Sequence, residues 1–204
     1  MNFKKNFKFI SLILFSGILL SACTNKYSDQ NLDMSQNTPV TPAENNILNI
    51  SSNPINPNIN ENMASIKTKD GEIIVKLYSQ ETPNTVANFI NKADSNFYQN
   101  LTFHRVIPGF MAQGGDPTGT GSGGGKQKSE LNNIPFKRGS VGLARTPASK
   151  EISNDSQFFI CYTDEGCQHL TGDYVNFGEV ISGLDILDKI NQGDKIIKVI
   201  TQTK

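Results

Sequence analysis

One segment of the chain, residues 103–116, concentrates side chains that could hold and act on a ligand. It reads F-H-R-V-I-P-G-F-M-A-Q-G-G-D. Its arginine, Arg105, keeps its charge at every relevant pH and donates hydrogen bonds from a planar fork. Alternate side chains of a strand share a face, so Met111 and Gln113 are predicted to lie side by side. The segment can therefore place an apolar surface next to a permanent cation.

A second run, residues 156–160, reads S-Q-F-F-I and repeats this arrangement. Strand alternation predicts Gln157 and Phe159 on one face, with Phe158 and Ile160 on the other. Two strands thus each display a glutamine beside a large apolar side chain, which favours a binding groove. The alternative is a polar outer face that simply meets water.

Two weaker patterns have plainer explanations. Residues 119–124 formally match G-x-G-x-x-G, but residues 126–135 show no helical apolar stripe, so we interpret the glycines as a loop and expect no nucleotide cofactor. Cys161, Cys167 and His169 could be a metal site or a Cys–His pair, yet their spacing is poor for zinc and we expect no metal. In an oxidising compartment the two cysteines could instead form a disulfide, or Cys161 could point inward as a thiol. The sequence leaves this choice open.

The elements that would position these residues are mostly short strands. Asp70-Gly71 predicts a hairpin between strands at 65–68 and 72–78. A helix is predicted after it, with Thr82 as its cap and Pro83 in its first turn, and a second helix over 184–190. Further apolar segments recur at 101–106, 110–114, 140–144, 157–162, 175–180 and 196–201. Many short strands with glycine-rich turns predict a mainly β fold, a closed antiparallel barrel.

The N-terminus resembles a bacterial lipoprotein signal. A lysine-rich start precedes an apolar run, residues 9–20, that is too short to span a bilayer, and Leu20-Ser21-Ala22-Cys23 resembles a lipobox. We therefore predict a signal peptide over 1–22 and a lipid on Cys23. The alternative is an ordinary signal peptide cut near Ala22, which would leave Cys23 as an unpaired exported thiol.

Residues 23–63 are predicted to form a tether, and residues 64–204 the folded domain. Residues 24–63 contain 11 Asn and four Pro and show no sustained apolar period, so this stretch cannot bury enough apolar surface to offset its ordering entropy. The chain as a whole is 36% hydrophobic with a formal net charge of +0. A balanced charge gives no reason to expect a nucleic-acid partner.

The two runs at 103–116 and 156–160 resemble the signature segments of the cyclophilin family of peptidyl-prolyl isomerases, and the resemblance covers residues 64–204. It implies an eight-stranded closed antiparallel barrel with an α-helix covering each end and a substrate groove on its outside. It also implies catalysis of Xaa-Pro rotation without metal, cofactor or covalent intermediate. Rotation breaks no bond, so an apolar pocket and a cationic donor suffice.

Carried over residue by residue, the resemblance makes Arg105 the catalytic arginine and Gln113 the residue that orients it. The proline pocket would consist of Phe110, Met111, Phe159 and Leu170. The rest of the groove would consist of Gly121, the backbone strip Ala144-Arg145-Thr146, Gln157, His169 and Tyr174.

The chain departs from the family at three of these positions. Arg145 stands where the family often has Asn, and Tyr174 where many members have a groove His. His169 replaces a Trp that, in the family, supplies area and an indole N–H to the cyclic peptide cyclosporin. These departures bear on substrate and drug binding more than on turnover.

We therefore predict a lipid-anchored, monomeric isomerase on the membrane of the cell envelope, facing the periplasm or exterior. Its partners would be proline-containing unfolded or partly folded exported proteins, whose folding it assists, and the membrane through the lipid on Cys23. A tethered module that only holds proline-containing segments is the main alternative. A structural envelope lipoprotein with no ligand is the other.

Overall fold

The computed structural model describes residues 61–202 of the 204-residue chain. The predicted signal peptide, Cys23 and the tether up to residue 60 lie outside this range, so their assignments stay predictions. Within residues 61–202, no helix is long and apolar enough to cross a membrane.

The fold begins with the predicted hairpin. Strand β1 (Met63–Thr68) pairs antiparallel with β2 (Gly71–Leu77), and the register joins Thr68 to Gly71. The two turn residues are therefore Lys69 and Asp70, one position earlier than the Asp70-Gly71 pattern predicts. Alternate residues of both strands are buried, as expected for strands with one face on a core.

Eight strands form one antiparallel sheet in the order β10-β1-β2-β9-β6-β8-β4-β3, and β5 and β7 form a separate two-stranded ribbon. The remaining strands are β3 (Arg105–Ile107), β4 (Met111–Gly114), β5 (Lys126–Lys128), β6 (Ser140–Leu143), β7 (Ile152–Asn154), β8 (Phe158–Cys161), β9 (Asn176–Ser182) and β10 (Lys198–Gln202). The predicted mainly β antiparallel fold is thus confirmed.

The predicted closure of the barrel is not supported. Strands β3 and β10 are the two edges of the curled sheet, and no strand ladder joins them within residues 61–202. Instead, four backbone hydrogen bonds join residues 100–103 to residues 193–196, just before each edge strand. Strand β3 has only three residues because Pro108, which has no N–H, follows it directly.

Helix α1 (Pro83–Asp94) confirms the first predicted helix, and its buried residues include Val86 and Phe89. Thr82 is the N-cap residue, as predicted, but its hydroxyl makes no capping hydrogen bond and instead donates to the Tyr78 carbonyl at 2.9 Å. The Glu130 carboxylate, 46 residues from Asn84 and 45 from Thr85, accepts the helix amides of these two residues instead, at 3.1 Å and 2.8 Å. It thereby binds backbone N–H groups that have no partner inside the helix.

The other helices are short. Helix α3 (Leu184–Leu187) replaces the helix predicted over 184–190 with a single turn. Helix α2 (Asp164–Cys167), followed by a 3-10 turn (Gln168–Leu170), was not predicted. The Thr163 hydroxyl caps α2 by accepting the Gly166 amide at 3.0 Å. The expectation of one helix at each end of the sheet is therefore too simple.

The sheet has an apolar cluster on each face. The larger one is the main core and includes Phe103, Phe158 and Phe177, all fully buried. The smaller one lies on the outer face and consists of Met111, Phe136, Phe159, Cys161, Cys167 and Leu170, with Phe110 and Tyr174 packed against it. Neighbouring residues of β8 divide between the two clusters, as the alternation of Phe158 and Phe159 predicts.

Candidate functional site

A cross-strand pair places a cation at the edge of the outer cluster. Arg105 on β3 lies opposite Gln113 on β4 in the strand register, and its Nη1 donates to Gln113 Oε1 at 3.2 Å. Its guanidinium carbon lies 5.9 Å from the centre of the Phe110 ring. The Gln113 bond uses one of the five N–H donors of the guanidinium, so further donors remain for a ligand.

A cavity of about 170 Å³ opens between this arginine and the outer apolar cluster. It is lined by Arg105, Phe110, Met111, Gln113, Ala144, Arg145, Phe159, Leu170 and Tyr174. The Phe159 ring stacks on Phe136 beneath it, with ring centres 5.6 Å apart, and meets the Tyr174 ring edge-on at 5.9 Å. Packed aromatic rings hold the cavity walls in place.

Gly142 on β6 makes this ring stack possible. A Cβ at this position would lie 2.4 Å from Phe159 Cζ and 2.8 Å from two atoms of the Phe136 ring. Both rings are buried and cannot easily give way. The position therefore requires glycine for close approach, and the cavity wall depends on it.

A chain of amide hydrogen bonds runs from the arginine into the neighbouring loop. Gln113 Nε2 donates to Gln157 Oε1 at 2.9 Å. Gln157 Nε2 donates in turn to the carbonyls of Gly121 (3.2 Å) and Gly123 (2.7 Å). Only 2% of Gln157 is exposed, so each lost bond would leave a buried polar group unpaired. These hydrogen bonds fix the orientation of the Gln113 amide, so that its oxygen and not its nitrogen faces Arg105.

The glycine-rich loop is held from below by Asp116, which is fully buried. Its carboxylate accepts hydrogen bonds from the amides of Thr118, Gly121 and Gly123 and from the Thr118 hydroxyl. Burial alone would raise the pKa of Asp116, but these bonds outweigh it and lower the pKa to about 2. A Cβ at Gly123 would lie 2.1 Å from the carboxylate, so this loop position also needs glycine.

A second cavity, of about 200 Å³, lies next to the first. The two share Gln113, Ala144 and Arg145. The remaining residues that line it are Gly121, Ser122, Gly124, Gly125, Lys126, Thr146, Ile152, Ser153, Asn154 and Gln157. A peptide lying across Ala144 and Arg145 would therefore pass over both cavities.

Arg145 forms part of the shared wall. Its Nε donates to the Asp173 carbonyl at 2.9 Å and its Nη1 to the Thr146 carbonyl at 3.0 Å. Its guanidinium carbon lies 4.4 Å from the centre of the Tyr174 ring, in cation–π range. These contacts hold the guanidinium between the two cavities.

A disulfide joins Cys161 on β8 to Cys167 at the end of α2, which answers the question that the sequence left open. The bond ties the segment that carries His169 and Leu170 to the sheet. Leu170 reaches the first cavity, and the His169 ring lies against Phe110 with ring centres 5.9 Å apart. His169 itself lines neither cavity.

The structure brings together the groove residues that the sequence analysis selected, and all of them except His169 line one of the two cavities. Sequence reasoning missed three supporting residues, namely Phe136, Asp116 and Asn154. The side-chain oxygen of Asn154 holds Gln157 in place by accepting its backbone N–H at 2.8 Å. Asp116 lies within the segment 103–116, whereas Phe136 and Asn154 lie outside both runs, and no sequence pattern marked them as part of the site. Within residues 61–202, no group of three or more His, Cys, Asp or Glu residues could hold a metal ion.

A family model described as cyclophilin type peptidyl-prolyl cis-trans isomerase/CLD matches residues 63–203. The chain belongs to this family. A peptidyl-prolyl cis-trans isomerase of Helicobacter pylori is 45% identical to this cyclophilin over 143 residues, covering 67% of this chain and 85% of the relative. Peptidyl-prolyl cis-trans isomerase B of Bacillus subtilis is 42% identical over 134 residues, which cover 64% of this chain and 92% of that relative.

Solved structures agree with the sequence comparisons. The crystal structure of a cyclophilin type isomerase of Cryptosporidium parvum matches with a TM-score of 0.64 and 31% identity, covering 71% of this chain and 99% of that one. A second structure of that protein, in the presence of the dipeptide Ala-Pro, matches with a TM-score of 0.63 and 30% identity. This cyclophilin is therefore a peptidyl-prolyl cis-trans isomerase that acts on proline-containing peptides.

Proposed function

We propose that Arg105 is the catalytic residue of this isomerase and that Gln113 positions it. The observation that carries the proposal is the guanidinium, held at 3.2 Å by Gln113 at the edge of an apolar cavity. Phe110, Met111, Phe159 and Leu170 give this cavity the apolar walls that a proline ring requires. The ring would enter the cavity while its amide stays at the arginine.

The arginine can favour the transition state over the ground state. The barrier to peptide rotation, ~18–20 kcal/mol, comes from delocalisation of the nitrogen lone pair into the carbonyl. In the planar amide that lone pair is not free to accept a hydrogen bond, whereas in the twisted amide it is. A donor such as Arg105, placed at the prolyl nitrogen, therefore binds the twisted form better, which is the condition for catalysis.

We also propose that the protein assists the folding of exported or envelope proteins while anchored to the membrane by a lipid on Cys23. The Cys161–Cys167 disulfide supports an oxidising compartment, where such bonds persist. The lysine-rich N-terminus and the Leu20-Ser21-Ala22-Cys23 sequence support export and lipid attachment. Several acyl chains on one residue give stable attachment where one gives marginal binding.

Fractionation tests the anchoring. The wild-type protein should be recovered with the membranes and should carry a mass increase on an N-terminal Cys23. The Cys23→Ser variant should be released or remain as an unprocessed precursor. An unmodified mature N-terminus on the wild-type protein would contradict the anchoring.

A refolding assay tests the role in folding. The protein should accelerate, at substoichiometric concentration, the slow refolding phase of a secreted protein that is limited by prolyl isomerisation. The Arg105→Ala variant is the control and should lose most of this acceleration. A higher refolding yield with no change in the slow rate would instead indicate a module that only holds its clients.

A further inference from the structure

The second cavity, like the first, is lined by two cationic side chains. They are Lys126 on β5 and Arg145 on the shared wall, and none of the residues that line this cavity carries a carboxylate. In the first cavity the two cations are Arg105 and the same Arg145, and the proposed function already assigns Arg105 to the prolyl amide. A peptide bound in the groove would thus meet, next to the proline pocket, a second cavity whose cations are not used in the proposed catalysis.

Among the residues that the structure describes, no carboxylate forms an ion pair with Arg145. Its hydrogen bonds go to the backbone carbonyls of Thr146 and Asp173, which use only two of its five N–H donors. The side-chain carboxylate of Asp173 forms an ion pair with Lys150. Within residues 61–202, Lys126 has no ion pair closer than 4.0 Å.

The other carboxylates near this cavity are already bound. Asp155 accepts the Gly125 amide at 2.7 Å and pairs with Lys92 at 3.5 Å. Asp116 lies buried beneath the glycine loop with its oxygens on loop amides. These carboxylates keep their negative charge but their oxygens are occupied, so an anion that entered the cavity would find hydrogen-bond donors on Lys126 and Arg145 without displacing a protein carboxylate.

We propose that this second cavity binds an acidic side chain of the substrate, so that the isomerase prefers Xaa-Pro sites with Asp or Glu near the proline. This rests on the proposed function, because the same peptide must occupy both cavities. Their shared wall, Gln113, Ala144 and Arg145, makes that geometry possible. The substrate class would be acidic proline-containing segments.

A peptide scan tests the proposal. A reference peptide with a single proline carries Glu, or Gln as its uncharged isostere, at each of three positions before and three after the proline. Catalytic efficiency, kcat/KM, is measured with the purified full-length protein by exchange NMR of the peptide, which needs no coupled protease. At one position or more, kcat/KM for the Glu peptide should exceed kcat/KM for the Gln peptide by about fivefold, as expected for two partly exposed ion pairs.

Variants and salt identify the origin of the preference. The Glu/Gln ratio should fall toward one in Arg145→Gln and in Lys126→Gln, but not in Lys198→Gln, which changes charge on β10 away from both cavities. It should also fall as the Debye length shrinks from ~10 Å at 0.1 M salt to ~3 Å at 1 M. A ratio near one at every position, or a ratio unaffected by both substitutions, would overturn the proposal.

Failure of the proposed function has a different signature. If no peptide of either series is turned over, the assignment of catalysis to this groove is wrong. The Glu/Gln comparison is then made as a ratio of Kd values from NMR titration of the same peptides. Equal Kd values would overturn the acidic preference, and a ratio of about five would support it independently of turnover.

Discussion

Substitution of Arg105 isolates the catalytic contribution of the guanidinium. In the twisted amide its hydrogen bond would be charge-assisted, and such bonds contribute a net ~1.5–3 kcal/mol. At 1.4 kcal/mol per tenfold in rate, Arg105→Ala should lower kcat/KM by about 10- to 150-fold. The loss should appear in kcat, because the interaction exists in the transition state and not in the planar substrate.

Two related variants sharpen the interpretation. Arg105→Lys keeps the charge but loses the planar fork that meets both Gln113 and the substrate, so its kcat/KM should fall between wild type and Arg105→Ala. Because Gln113 acts through Arg105, Gln113→Ala should cost clearly less in the Arg105→Ala background than in wild type. Additive effects would mean that Gln113 contributes separately.

The matched control is another arginine, Arg138, which donates to the Tyr162 carbonyl at 2.7 Å and pairs with Asp188 at 2.9 Å. Arg138→Ala should lower stability while leaving kcat/KM per folded molecule unchanged. Arg105 is exposed on an edge strand, so Arg105→Ala should change the free energy of unfolding by only about 0.5 kcal/mol or less. Exchange NMR and urea denaturation measure the two quantities. An unchanged kcat/KM in a folded Arg105→Ala variant would refute the catalytic role.

Three further predictions concern the surroundings of the groove. The pKa of Asp116 is depressed to about 2, so the ionised carboxylate stabilises the fold above the unfolded pKa of ~3.9, and this contribution is lost as pH falls through 2. Asp116→Asn should therefore lower the free energy of unfolding by about 2 kcal/mol at pH 7, and urea denaturation should show a smaller difference from wild type as pH falls from 4 to 2. Reduction of Cys161–Cys167, six residues apart, should lower the free energy of unfolding by about 2 kcal/mol, and a variant with both cysteines replaced by serine should show no further loss with reductant. His169→Trp should tighten cyclosporin binding by about 5- to 30-fold in calorimetric titration, because a larger ring adds apolar contact, while raising turnover much less; equal affinities would contradict this.

Local sequence patterns predicted the face of each strand well where the strands are regular. The alternation of Gln157 and Phe159 against Phe158 and Ile160 matches the two apolar clusters. Alternation failed at the start of β3. A regular strand would place Phe103 and Arg105 on the same face, yet Phe103 is buried in the main core and Arg105 is exposed. The backbone before Arg105 is not a regular strand, so the period of two does not extend through it.

Features that depend on distant residues could not be predicted from local patterns. The side-chain acceptor for the first amides of α1 is Glu130, 45 residues beyond Thr85, rather than the hydroxyl of the N-cap residue Thr82. The pairing of Cys161 with Cys167 required α2, a four-residue helix too short to show a period. The open edges of the sheet depend on how residues 100–103 meet residues 193–196, which lie outside both edge strands. Each of these outcomes is decided by tertiary contacts that override local propensity.

The hydrogen-bonded chain from Arg105 to the loop contains no group that titrates between about pH 4 and 10. It passes through two glutamine amides, Gln113 and Gln157, and ends on backbone carbonyls. The loop that supplies these carbonyls is held by Asp116, whose pKa of about 2 keeps it ionised. A reaction that transfers no proton needs a fixed charge in a fixed place more than a tunable acid or base. The two glutamines satisfy this requirement, because each orients its neighbour through a hydrogen bond and neither is a carboxylate that would neutralise the guanidinium.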